Sequence, residues 1–128
     1  MTNAPATDPP GPHLRYIEGL REGRLDFQRC LSCATAVFHP RVLCPACGSC
    51  DFRWETSDGN GEVYSASRLA PRNGEPYVVV LVDLDEGFRL MSTVRCAPAV
   101  IGQRVTAQIE QSENPTAEPL LVFVPAVP

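Results

Sequence analysis

Beyond position 58 the chain alternates short apolar runs with turn chemistry. The runs at residues 62–69, 77–84, 88–95, 104–109 and 120–124 are set apart by Asp58-Gly59-Asn60-Gly61, by the stretch from Pro71 to Pro76, by Asp85-Glu86-Gly87, and by the stretches 98–102 and 112–119. This spacing predicts five strands. In the first, Val63, Ser65 and Ser67 alternate with Tyr64, Ala66 and Arg68. By contrast, Tyr77-Val78-Val79-Val80-Leu81-Val82 is apolar without a break, which predicts a strand buried on both faces or wrapped in a barrel. Five short strands with little room for a long helix predict a small, partly open Greek-key barrel of OB type, with an SH3-like barrel as the competing architecture.

Upstream the period changes. Leu14, Ile17 and Leu20, with Tyr16 beside them, recur at three-to-four spacing, and Glu18, Arg21 and Glu22 fall on the opposite side, which predicts a short helix over residues 13–25. Gly19 and Gly23 weaken it, each costing about 1 kcal/mol relative to alanine in a helix interior. So short a helix needs a surface to pack on, either this chain's own core or another subunit. Residues 1–12, with four prolines, are expected to be a disordered tail. The expected division is tail 1–12, helix 13–25, a cysteine ribbon at 26–57 and the barrel at 58–128.

Composition narrows the chemistry. With 128 residues, 44% of them hydrophobic and 20% charged, the chain is expected to form one soluble domain or two small lobes. No apolar run is long enough to cross a bilayer, and the N-terminus lacks the basic-then-apolar order of a secretion signal, so a cytoplasmic location with no membrane association is expected. In a reducing cytoplasm six cysteines read first as metal ligands. All eleven basic residues are arginine, which excludes Schiff-base chemistry and a P-loop lysine. The net charge is −4, with nine acids and five arginines from residue 58 onward, the wrong sign for tracking phosphates.

The cysteines carry the sharpest signal. Cys30-Leu31-Ser32-Cys33 and Cys44-Pro45-Ala46-Cys47-Gly48 are two knuckles ten residues apart. Two residues between cysteines let both sulfurs face one ion, and four thiolates close a tetrahedral shell with no open position for water or substrate. Cys30, Cys33, Cys44 and Cys47 are therefore the expected ligands of one structural zinc, ahead of iron or of a disulfide pair. In the second knuckle Gly48 can take the positive φ that follows the turn; in the first, Ala34 stands at that place. Cys50 is read as a bystander thiol and Cys96 as a small buried hydrophobe at a strand end. His13 lies near the tail, and His39, on the segment joining the knuckles, is superfluous as a fifth ligand. Asp83, Asp85 and Glu86 flank a turn and are expected to be a solvated hairpin rather than acid/base machinery. No catalytic residue is assigned.

Taken in order, the segment from Tyr16 to Leu25, Gln28-Arg29-Cys30 with Cys33, Phe38-His39-Pro40-Arg41, Cys44-Pro45 with Cys47-Gly48-Ser49, Trp54, Gly61-Glu62-Val63-Tyr64-Ser65, the strand from Pro76 to Leu84 and Ile101-Gly102-Gln103-Arg104-Val105 resemble the DUF35 family. The resemblance covers nearly everything from Tyr16 to Val124 and departs from the family pattern at Ala34 and His39. It implies an N-terminal helix, a rubredoxin-like zinc ribbon and an OB-fold. It further implies a non-catalytic accessory subunit that joins a thiolase-like protein in a hetero-oligomer such as a heterotetramer. There it would stabilise a thiolase or retro-aldolase and border the acyl-CoA pocket, in contact with the CoA thioester. The alternative, a nucleic-acid-binding module, draws on the common use of zinc ribbons and OB-folds for that purpose, and the charge opposes it.

Overall fold

A computed structural model of the chain describes residues 11–126, and within them one helix and eight strands. Of the expected tail, positions 1–10 lie outside the described residues. The helix, α1, runs over Pro12–Arg21. Pro12 opens it, where a missing N–H costs nothing. Tyr16, Ile17 and Leu20 are buried, whereas Leu14, expected on the same stripe, is 56% exposed. The helix ends four residues before the sequence expectation because Gly23, at φ +86°, closes it. Its N–H bonds Leu20 O at 3.0 Å and the Arg24 N–H bonds Gly19 O at 2.8 Å, the paired bonds of a Schellman motif. Of the two surfaces left open by the sequence, α1 uses the chain's own core. The helix is neither long nor apolar enough to cross a membrane.

Three strands make the ribbon: β1 (Asp26–Cys30), β2 (Ala36–Val37) and β3 (Phe52–Thr56), antiparallel in the order β2-β1-β3. Gln28 is buried at 3% exposure and replaces a missing strand. Its side chain donates to Arg41 O at 2.9 Å and accepts from Arg41 N at 2.7 Å, so the loop between the knuckles is held as if by a β-ladder.

The second sheet contains β4 (Asn60–Leu69), β5 (Tyr77–Leu84), β6 (Arg89–Ser92), β7 (Arg104–Glu110) and β8 (Leu120–Pro125), in the order β6-β5-β4-β7-β8. After Ser92 the chain leaves β5 and lies parallel to β8: Arg95 N bonds Phe123 O at 2.7 Å and Phe123 N bonds Thr93 O at 2.9 Å. That seam closes the sheet into an OB-type barrel and shortens the third strand relative to the sequence expectation. The uninterrupted apolar run of β5 is buried on one side only: Val80, Val82 and Leu84 point inward, while Val79 and Leu81 are half-buried and Tyr77 is 51% exposed.

Helix, ribbon and barrel share one core. Phe88, from the turn before β6, stacks on Phe27 of β1 at 4.6 Å and on Phe38 at 5.4 Å, and Phe38 meets Tyr16 of α1 edge-on at 5.2 Å. Each such pair adds about 0.5–1.5 kcal/mol beyond its buried area. Polar contacts reinforce the junction. Glu86 accepts from Ser57 Oγ at 2.7 Å and from Asp58 N at 2.9 Å, and Arg29 of β1 reaches Glu86 O at 3.5 Å and Glu55 at 3.3 Å.

Candidate metal centre

The four expected cysteines meet where the ribbon's strands end. Cys30 closes β1, Cys33 lies in the turn to β2, and Cys44 and Cys47 flank the turn that leads toward β3. Their sulfurs all lie within 4.8 Å of one another, with Cys30 to Cys47 at 3.6 Å and Cys33 to Cys44 at 3.7 Å. A tetrahedral zinc with bonds near 2.3 Å sets its sulfurs about 3.8 Å apart, so both donor type and spacing fit that ion. Cys30 and Cys44 are buried and Cys33 and Cys47 exposed. Val37 and Phe52 pack around the buried pair.

The two knuckles repeat one hydrogen-bond pattern. Ala34 N bonds Cys30 O at 2.9 Å, as Gly48 N bonds Cys44 O at 2.8 Å; Cys30 N bonds Thr35 O at 2.9 Å, as Cys44 N bonds Ser49 O at 2.8 Å. The positive φ expected after each second cysteine is present at both, +65° at Ala34 and +80° at Gly48. Ala46 N points at Cys44 Sγ at 3.4 Å, and the Thr35 hydroxyl lies 3.0 Å from Cys33 Sγ. Ser32 and Ser49 join the knuckles through their hydroxyls at 3.0 Å. Thr35 and Ser49 were not singled out from the sequence. Their shared signal was a hydroxyl residue two places after the second cysteine of each knuckle.

Electrostatics at the cluster calls for a cation. Cys33 is pushed down to about 6, first by the Thr35 hydroxyl and then by the Thr35 N–H. Cys30 is lowered by the N–H of Cys33 and, against desolvation, by that of Ser32. Cys47 moves the other way, up to about 12: the Ser49 N–H favours its thiolate, but Cys30, desolvation, Cys33 and Cys44 outweigh that bond. Crowded sulfurs cannot all ionise by themselves, and a bound dication removes that limit.

The other residues singled out from the sequence lie elsewhere. Cys50 and Cys96 are outside the cluster. Cys96, expected to be buried, is exposed at φ +72°, because the chain has already turned away from β6 to form the barrel seam. The His39 ring stacks on Phe38 at 5.1 Å and His13 contacts Glu118 at 3.4 Å. Asp83 pairs with Arg89, Asp85 with Arg104, and Glu86 holds the link between ribbon and barrel.

Residues 18–53 match the model of the ChsH2 rubredoxin-like zinc ribbon domain, and residues 54–110 that of the ChsH2 C-terminal OB-fold domain. The chain is 38% identical over 120 residues to a probable enoyl-CoA hydratase alpha subunit of Thermomonospora curvata, a match covering 88% of this chain and 37% of that protein. It is 36% identical over 88 residues to a DUF35 domain-containing scaffold protein of Methanocaldococcus jannaschii, covering 62% of each. It thus spans less than two thirds of the length of these curated relatives. Among solved structures, a chain of the Ltp2-ChsH2(DUF35) aldolase aligns with a TM-score of 0.77 and 34% identity over 91% of this chain and 95% of that one. A DUF35 protein of unknown function from Sulfolobus solfataricus shares the fold, with a TM-score of 0.64 and 16% identity over 88% and 84% of the two chains. With ribbon, barrel and the order of the two agreeing throughout, the chain belongs to the DUF35 family.

Proposed function

We propose that this chain is a non-catalytic accessory subunit of a thiolase-type acyl-CoA enzyme complex, a thiolase or a retro-aldolase, which it stabilises and whose acyl-CoA pocket it borders. The observation that carries this reading is the likeness, over 95% of that chain's length, to a chain of the Ltp2-ChsH2(DUF35) aldolase. In this role Cys30, Cys33, Cys44 and Cys47 hold one structural zinc. The ion supplies folding energy and a closed shell, and the chemistry belongs to the partner.

Two features of the surface support binding rather than catalysis. An apolar cleft of about 210 Å³, walled by Tyr16, Phe38, His39, Met91 and Leu120, opens where helix, ribbon and barrel meet. It is too small for an acyl-CoA and suited to forming one wall of a larger site. The arginines that a nucleic-acid reader would turn outward are largely committed: Arg15, Arg24, Arg29, Arg53, Arg89, Arg95 and Arg104 each sit against a carboxylate. The complex is a cytoplasmic hetero-oligomer. Co-expression with a thiolase-like subunit followed by native mass spectrometry tests the reading. A stable assembly with one zinc per copy of this chain is expected, and free subunits at micromolar concentration for every such partner would reject it.

A further inference from the structure

The barrel wall leaves a backbone edge open along the second half of β4. Midway along β4, Val63 donates its N–H to Gln103 O at 3.0 Å and accepts Gly102 N at 2.8 Å, and there the contact with the neighbourhood of β7 stops. The register between β4 and β5 then slips between Val63 and Ser65. Beyond the slip, β4 continues beside β5 alone, with Ser65, Ser67 and Leu69 opposite Leu81, Val79 and Tyr77.

Hydrogen-bonding direction alternates along a strand. Leu84 N bonds Phe88 O at 2.8 Å on the β6 side and Asp85 N bonds Asn60 O at 3.0 Å on the β4 side, so Val80 and Val82 face β6, while Leu81, Val79 and Tyr77 face β4 and are met by Ser65, Ser67 and Leu69. The N–H and C=O groups of Ala66 and Arg68 therefore point away from β5, and among the described residues no strand pairs with β4 on that side beyond Glu62 and no loop backbone bonds to them. Such an edge is ordinarily blunted by charged side chains, especially lysine, by proline or by a bulge within it, and from Tyr64 to Leu69 the one charge is Arg68. Here the register slip precedes the open stretch, and neither lysine nor proline occurs from position 60 to position 70.

Charge and apolar surface say what fits. Seven arginines are paired with carboxylates, but Arg68 and Arg72, on this arm and its loop, have no carboxylate within 4.0 Å among the described residues, and Glu75 in the same loop pairs with neither. Cross-strand partners share a face, so Arg68 lies on one side of the arm with Val78, and Leu69, 42% exposed, on the other with Tyr77.

We propose that the β4 edge from Tyr64 to Leu69 receives an extended segment of the partner subunit, added as a further strand. That segment alternates acidic residues, on the side of Arg68, with apolar residues on the side of Leu69 and Tyr77, and Arg72 in the following loop adds positive charge at that end of the arm. Strand addition of this kind takes its affinity from main-chain bonds and its selectivity from alternate side chains. The inference rests on the accessory-subunit reading and assigns the surface through which it acts.

The test is Ala66→Pro in the full chain, co-expressed with the thiolase-like subunit. Proline is tolerated on an edge whose N–H faces solvent, so the β4–β5 ladder and the zinc content should persist. Binding to the partner should fall at least about tenfold, the loss expected when the bonds of an added strand go. In the wild-type complex the amides of Ala66 and Arg68 should exchange more slowly than in the free chain, a readout that holds even if the proline variant misfolds. Arg68→Glu with Arg72→Glu should weaken the complex and flatten its salt dependence. Equal binding by Ala66→Pro, or unchanged exchange at both amides in a complex that forms, would overturn this inference alone. A dimer of the isolated chain that Ala66→Pro dissociates would give the edge to a second copy and overturn it too. Absence of any complex with the wild-type chain would overturn the accessory-subunit reading along with it.

Discussion

Ala34 and Gly48 stand at the same point of the two cysteine turns, both in the left-handed region, at φ +65° and +80°, and each donates its N–H to the carbonyl of the first cysteine of its knuckle. An L-residue with a Cβ costs about 1–2 kcal/mol in that region, while glycine loses more chain entropy on folding, by about 0.4–1 kcal/mol. Ala34→Gly should therefore stabilise the zinc-loaded protein by about 0.5–1 kcal/mol, and Gly48→Ala should destabilise it by a similar amount. No atom lies within 4 Å of a Cβ placed at position 48, so the effect there is backbone strain alone. Urea midpoints of the two variants should move in opposite directions, and a shift in the same direction would refute the assignment.

Replacing one ligand should cost the metal and much of the fold. Cys44→Ser leaves three thiolates around a buried position, and metal analysis should find well under one zinc per chain, with loss of the cooperative melt. Because cysteine binds zinc as the thiolate, proton competition should release a zinc held there as pH falls, and zinc affinity measured against a chelator should rise with pH. Retention of one zinc with an unchanged melting curve would contradict the four-cysteine site.

Asp26, 1% exposed, sits under the helix with Arg15 at 2.8 Å, Arg24 at 3.2 Å and the Thr56 hydroxyl at 2.7 Å. Burial by itself would raise its pKa, but the bonds from Arg15, Thr56 and Arg24 outweigh it and hold the carboxyl below its ordinary value. A carboxylate depressed in the folded state contributes stability that is present above its unfolded pKa of about 3.9 and is lost as pH falls through the lower folded value. Asp26→Asn should cost about 3 kcal/mol at neutral pH, and the gap from wild type should narrow below about pH 4. Denaturant melts at pH 7 and pH 3 measure it, and a pH-independent gap would count against the ion pairs.

Gly19 should resist the substitution that helix propensity favours. A Cβ there would lie 2.6 Å from Asp26 Oδ2, an oxygen already held by two arginines. Alanine would gain about 1 kcal/mol of helix propensity, but overpacking against a fixed carboxylate costs about 1–3 kcal/mol. A Gly19→Ala variant should melt lower than wild type; a higher melting temperature would show that helix and ribbon are free to separate.

Local chemistry was legible in the sequence. The cysteine spacing located the four sulfurs, and the turn clusters located all five barrel strands. What escaped depends on distant neighbours. Gly23 looked like a weakness in a helix because its role as a terminator shows only when Arg24 bonds back to Gly19. Gly19 has no local signature of its contact with Asp26, and Asp26 itself carries no periodic mark of burial. The apolar β5 run predicted a strand buried on both faces or wrapped in a barrel, and the barrel holds: Val80, Val82 and Leu84 are buried, while Val79 is half-buried and Tyr77 exposed on its outer side. Cys96 follows a strand in sequence but lies beyond the point where the chain crosses to β8.

Phe88 changes what counts as a part of this protein. The two family models meet between Arg53 and Trp54, inside β3, and the stack of Phe88 on Phe27 and Phe38 spans that border. A protease cut or gene fusion placed there would split a strand and hand each fragment half of an aromatic cluster, now facing water. The stretch that matches 37% of the Thermomonospora curvata protein therefore has to be moved between proteins whole, as a cassette. Half of it would not be a smaller module but a broken one.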